Sequence, residues 1–115
     1  MPDTVAWNFR HMHEEPSRFS CTLKDLCEYA QRLKDYEAST RSEIESHRNS
    51  NHGWKTMKRL DKELRILIKR TPCFTDTRLS QLELSGKCRA FGFYKDNVFH
   101  FVFLDKNHEG YSVAH

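Results

Sequence analysis

No stretch of this chain approaches the roughly 18 consecutive apolar residues that a membrane-spanning helix needs, so a spanning helix is excluded. The opening residues, Met1 to Asn8, lack a basic region followed by an apolar one, which argues against a secretory signal. The four cysteines, Cys21, Cys27, Cys73 and Cys88, form no C-x-x-C pair. Their spacings do not suit structural zinc. They are therefore expected to be reduced thiols in a cytoplasmic protein, acting mostly as small buried hydrophobes, with Cys27 on the apolar face of a helix. Also missing are G-x-S-x-G, the P-loop, G-x-G-x-x-G and H-E-x-x-H. Those absences remove the nucleophile-elbow hydrolases, the P-loop NTPases, the dinucleotide-binding domains and the zincin metalloproteases. His11 and His13 form an H-x-H pair beside Glu14 and Glu15, but two histidines fall short of the three or four ligands a metal site requires. No metal and no cofactor is expected.

What is present fits one soluble domain spanning 1–115, with no internal repeat and no low-complexity segment. Hydrophobic residues are 37% of the chain and charged residues 30%, and the mean hydropathy is −0.81. That is a thin core, thickened by eight Phe. The formal net charge of +3 is unevenly spread. Residues 1–40 carry five Lys/Arg against seven Asp/Glu, residues 41–70 nine against four, and residues 71–115 five of each. The middle third is thus a basic patch, and Lys55, Lys58, Arg59, Lys62 and Arg65 within it are candidates to meet RNA phosphates or an acidic partner. A plain solvated helix face explains the same charges.

Periodicity sets out the elements. Val5, Trp7 and Phe9 alternate with polar residues, as in a short strand, and Phe19 extends or follows it after a turn around Pro16. Thr22 and Asp25 resemble a capping box, and Leu23, Leu26, Cys27, Ala30 and Leu33 form one stripe of a helix ending near Tyr36. Thr40 and Glu43 form a second box, T-x-x-E, opening a short helix to about His47. Residues 49–53 read as a loop containing His52. From Trp54, Met57, Leu60, Leu64, Leu67 and Ile68 recur at helical spacing until Pro72. Three strands follow: one through Leu82 and Leu84, one through Arg89, Phe91 and Phe93, and one through Phe99, Phe101 and Phe103. Ser85-Gly86 and Lys95-Asp96-Asn97 are the turns between them. The last strand is apolar on both faces apart from His100, which places it inside a sheet. The expected fold is α+β: an N-terminal strand, two or three helices, then a three-strand antiparallel meander, with the helices packed on one sheet face.

Four residues of the last third carry potential chemistry. Arg89 sits among aromatics, where it either pairs with a carboxylate or ring or offers its planar fork to phosphate. His100 faces away from Phe99, Phe101 and Phe103 as a core histidine or a general acid–base. His108 and Tyr111 follow the last strand as H-x-x-Y, either an ordinary polar tail or a proton donor with a positioning hydroxyl. RNA cleavage by 2′-OH attack needs a base, an acid and cations to hold the phosphorane, and no metal. Trp7, Phe91, Phe93, Phe99, Phe101 and Phe103 read as core, although such rings also stack bases.

The element order, with Gly86-Lys-Cys-Arg89 and His108-Glu-Gly-Tyr111, resembles the RelE/ParE superfamily of small bacterial toxins. Their G-x-x-R segment precedes two strands and a closing H-x-x-x-Y. The chain is also similar to small bacterial proteins with a T-x-x-E-I helix start (here 40–44), a His52-Gly53 loop, a final F-H strand (99–105), and a closing Tyr111 and His115. The toxin resemblance implies an endoribonuclease cleaving messenger RNA by metal-independent acid–base chemistry, with RNA or the ribosome as partner and an antitoxin protein as inhibitor. It implies Arg89, His108 and Tyr111 facing the scissile phosphate, with the basic middle of the chain holding the RNA; with His100 as the alternative to His108 for acid–base work, these four are the expected catalytic residues. The alternative is a non-catalytic protein that binds an acidic protein partner or nucleic acid.

Overall fold

The computed structural model describes residues 3–46, 61–72 and 79–107. Its elements are β1 (Ala6–Asn8), α1 (Leu23–Cys27), α2 (Ala30–Tyr36), α3 (Arg41–Ser46), α4 (Lys62–Lys69), β2 (Ser80–Glu83), β3 (Arg89–Lys95) and β4 (Val98–Asp105). The strands form one sheet in the order β1-β4-β3-β2. The β2, β3 and β4 strands are the expected antiparallel meander, and β1 joins β4 in parallel. The doubly apolar strand β4 is therefore interior, as its composition requires. A two-residue turn, Asp96-Asn97, joins β3 to β4. Asp96 takes φ 56°, which a short polar side chain tolerates better than a branched one.

Both capping boxes form. Thr22 Oγ1 accepts from the Asp25 N–H at 3.1 Å, while Asp25 accepts from the Thr22 N–H. Thr40 and Glu43 repeat the exchange at the head of α3. Each cap contributes about 0.5–2 kcal/mol. The helix expected from Thr22 to Tyr36 is two helices, because the chain leaves helical geometry at Tyr29, which has φ −114° and ψ 19°. The Tyr29 ring is partly buried against the core cluster that contains Leu26, Leu33 and Cys88. The helix expected to begin at Trp54 carries its described turns from Lys62, where Asp61 caps the N–H groups of Glu63 and Leu64; residues 54–60 lie outside the described residues.

The main departure concerns the faces of the sheet. Side chains alternate along a strand, so Ala90 and Tyr94 of β3 lie on one face and Phe91 and Phe93 on the other. The first face packs under Leu26 of α1, Leu33 of α2 and Ile44 of α3. The second packs under Leu64 and Ile68 of α4, with Phe19. The α+β class stands, but helices cover both faces rather than one. The amphipathic stripe of α4 needs an apolar partner, and Phe91, Val102 and Phe103 supply it. Five Phe side chains (19, 91, 99, 101 and 103) are fully buried. At about 1.5–3 kcal/mol each, they carry a core that the overall composition leaves thin.

The Phe row of β4 is also split. Phe91 pairs with Phe103, but the next residue, Gly92, pairs with Phe101, so Val102 is an extra residue in β4. Such a bulge reverses the alternation beyond it. Phe99 and Phe101 consequently face α1–α3, while Phe103 faces α4. The bulge is locked from both sides. The His13 N–H donates to the Val102 carbonyl at 2.8 Å, and further along β4 the Leu104 N–H donates to Phe19 at 3.0 Å.

Candidate active site

Of the four residues singled out at the end of the chain, the two that are described, Arg89 and His100, do not share one place. Arg89 opens β3 opposite Asp105, whereas His100 lies opposite Phe93. Four residues of strand separate the two positions, roughly 13 Å at the usual rise. Arg89 is 11% exposed, donates to the carbonyls of Ser85 (2.5 Å) and Cys88 (3.2 Å), and forms an ion pair with Glu83 at 3.5 Å. The guanidinium thus braces the β2–β3 connection. His108, Tyr111, Lys55, Lys58 and Arg59 lie outside the described residues, as do His47, His52 and Cys73. Lys62 is exposed at the start of α4 and Arg65 is half-buried one turn on.

Lys62 also borders a groove of about 620 Å³ between the 13–18 segment and α4, lined by Arg18, Asp61, Glu63, Ile66 and Arg70 among others. Arg18 ties its walls together through Asp61 at 2.6 Å and Glu63 at 2.9 Å. These pairings give the groove both signs of charge rather than the uniformly basic lining a phosphate track would have.

His100 occupies a different setting. Its imidazole stacks on Phe93 with centroids 4.5 Å apart and planes 8° from parallel. The ring is half-buried, and its Nδ1 is buried with no hydrogen-bond partner among the described residues. Leaving such a group unpaired costs about 1–3 kcal/mol, a cost that functional sites characteristically carry. Burial holds the His100 pKa below the ordinary imidazole value, and His11, Lys95 and Arg10 lower it further by charge. His100 is consequently a neutral base at neutral pH. Arg10 comes from the chain after β1, and Lys95 from the end of β3. They give this corner of the sheet a positive surround without pairing to the imidazole.

The third ring in the cluster is His11, which sequence reading considered only as half of an H-x-H metal pair. Its centroid is 5.5 Å from His100 and 5.8 Å from Phe93. His13 packs over Phe103 instead, at 5.4 Å. Among the described residues, no group of three His, Cys, Asp or Glu is placed to hold a metal ion. The approach of His11 to His100 has no local signature, since it depends on β1 lying parallel to β4 with Asn8 opposite His100.

The buried thiols among the described residues offer no competing chemistry. Cys21 and Cys88 are buried and free. Burial pushes the Cys21 thiol up to about 12 and raises Cys88 as well, so both remain protonated. Cys27, expected on an apolar face, is exposed, because Leu26 is the residue α1 turns to the core.

The lowered pKa of His100 has a consequence for stability. The unfolded chain takes up a proton near pH 6.5, where the folded imidazole still resists it. The stabilising preference for the neutral ring is therefore present above pH 6.5 and is lost as pH falls below it. Between pH 7.5 and 5.5, the denaturation midpoint of the wild type should fall further than that of His100→Gln. Equal falls would show that His100 does not resist protonation.

The chain matches no protein-family model, no curated protein and no solved structure. No helix among the described residues is long and apolar enough to cross a membrane.

Proposed function

We propose that this chain is a metal-independent endoribonuclease of the small-toxin type, cleaving messenger RNA with His100 as general base. The observation that carries this reading is the His100 imidazole itself. It is held neutral, its Nδ1 is buried and unpartnered, and Arg10 and Lys95 bring positive charge near it. A ribose 2′-OH reaching the other ring nitrogen would lose its proton to His100 as it attacks the adjacent phosphorus. Arg10 and Lys95 would offset the charge that builds on the phosphorane oxygens. Lys62, Arg65 and the basic residues before them supply further cations for the RNA backbone or for the ribosome. In this reading Arg89 is a brace of the sheet, and an antitoxin would act by covering the His100 corner.

The test is direct. Purified protein in EDTA should cut single-stranded RNA, alone or on translating ribosomes, and leave 2′,3′-cyclic phosphate and 5′-hydroxyl ends. RNA left intact in both settings, with no slowing of growth on expression, would remove the enzyme and leave a non-catalytic interaction protein.

A further inference from the structure

We infer that His11 is the second catalytic group of this site, the general acid that protonates the leaving 5′-oxygen while His100 takes the proton from the 2′-hydroxyl. The inference rests on the endoribonuclease reading and deepens it.

The route of the chain brings His11 to this place. The β1 strand ends with Asn8 opposite His100. A turn closed by the Met12 N–H on the Phe9 carbonyl, at 3.4 Å, then carries His11 back beside the His100 ring. The two imidazoles lie 5.5 Å apart, inclined at 36°, and share Phe93 as a common wall. No described hydrogen bond engages the His11 side chain, and neither of its nitrogens is among the buried atoms left without a partner. A histidine kept for structure is ordinarily tied by at least one nitrogen to a neighbouring carbonyl or carboxylate. His11 is instead half-buried, packed only through its ring, with nitrogens free to meet a ligand.

The chemistry needs two groups in opposite protonation states on one phosphodiester. Burial disfavours a proton on His100, which suits that ring to the base, and the neighbouring His11 ring, 5.5 Å away, is placed to serve as the acid. Around the pair stand Phe93 and Lys95 from β3, and Arg10 from the turn. The step balances without a co-reactant. The 2′-oxygen bonds to phosphorus as its proton passes to His100, the bond from phosphorus to the 5′-oxygen breaks, and that oxygen takes the proton of His11. The products are a 2′,3′-cyclic phosphate and a 5′-hydroxyl, with the proton moved from one imidazole to the other.

A substrate whose leaving group needs no proton separates the two roles. His11→Gln and His100→Gln are compared with wild type on a ribodinucleotide and on a nucleoside 3′-(4-nitrophenyl phosphate), whose nitrophenolate departs unassisted. On the dinucleotide, His11→Gln should lose about 10²–10⁴-fold in kcat with KM changed only slightly, and the basic limb of its pH profile should disappear. On the nitrophenyl ester it should recover to within a few fold of wild type, whereas His100→Gln stays impaired on both. Far-UV circular dichroism and thermal midpoints confirm that the variants fold, and His11→Asn replaces His11→Gln if the latter does not. Equal losses on the two substrates, or no loss on either, would overturn the acid assignment while leaving the endoribonuclease in place. A wild-type protein inactive on both substrates and on messenger RNA carried by translating ribosomes would remove the endoribonuclease, and the acid with it.

Discussion

Gly92→Ala should lower the unfolding free energy by about 3 kcal/mol, the upper end of the cost of overpacking a core. A Cβ at Gly92 would run into the His100 carbonyl oxygen, with the carbonyl carbon 3.0 Å and the Phe99 ring 3.1 Å away. A side chain can swing aside, but a backbone carbonyl in a central strand cannot. The β4 strand is held by β3 on one side and by β1 and the His13 N–H on the other. The clash also falls one residue from the bulge at Val102, where the register is already offset. Gly86→Ala is the matched control. A Cβ there meets nothing within 4 Å, so the substitution should leave stability nearly unchanged. Chemical denaturation of the three proteins decides the matter, and a Gly92→Ala protein as stable as Gly86→Ala would mean that β4 can move away from β3. Because the clash is with His100 itself, the surviving folded protein should also show weakened RNA cleavage.

His100→Phe should abolish RNA cleavage while making the protein more stable. General acid–base groups contribute about 10²–10⁴-fold to rate, so loss of the base leaves at most a percent of the activity. The stability change has the opposite sign because the phenyl ring keeps the stack on Phe93 and removes the unpartnered Nδ1. Relief of a buried unpaired polar atom is worth about 1–3 kcal/mol. Gains in stability bought by loss of function mark residues retained for chemistry rather than for folding. A single preparation assayed for cleavage and for thermal midpoint tests both halves. A destabilised His100→Phe would show that the imidazole serves the core, and unaltered cleavage would place the base elsewhere.

Much of the architecture could be read from local pattern. The two T-x-x-D/E boxes announced helix starts at Thr22 and Thr40, and each forms in the structure. Alternation in β3 correctly assigned Phe91 and Phe93 to one face, and the doubly apolar pattern of β4 placed it inside the sheet. The same reasoning failed for Phe103, because one inserted residue at Val102 inverts every face assignment after it. A bulge answers to the partner strands, and nothing in V-F-H-F-V-F-L-D distinguishes it from a regular strand. The break at Tyr29 escaped for a related reason. There Tyr29 packs against a core cluster that includes Cys88, 59 positions along the chain.

The candidate site divides in the same way. His100 stood out because a lone titratable residue in an apolar strand is costly wherever the strand packs, and burial of part of that ring followed. Arg89 carried the same appeal in the chain, yet its fork is engaged by the Ser85 and Cys88 carbonyls and by Glu83, partners that the β2–β3 connection brings together. His11 was visible only as half of a weak H-x-H pair. Side-chain period and capping are interactions within a few residues, so composition and spacing alone specify most of the elements and their order, the break at Tyr29 excepted. Which face α4 covers, where β4 gains its extra residue, and that His11 meets His100 across 89 positions of sequence are set by pairings between distant segments. Their free energies exist only once the parallel β1–β4 register has formed.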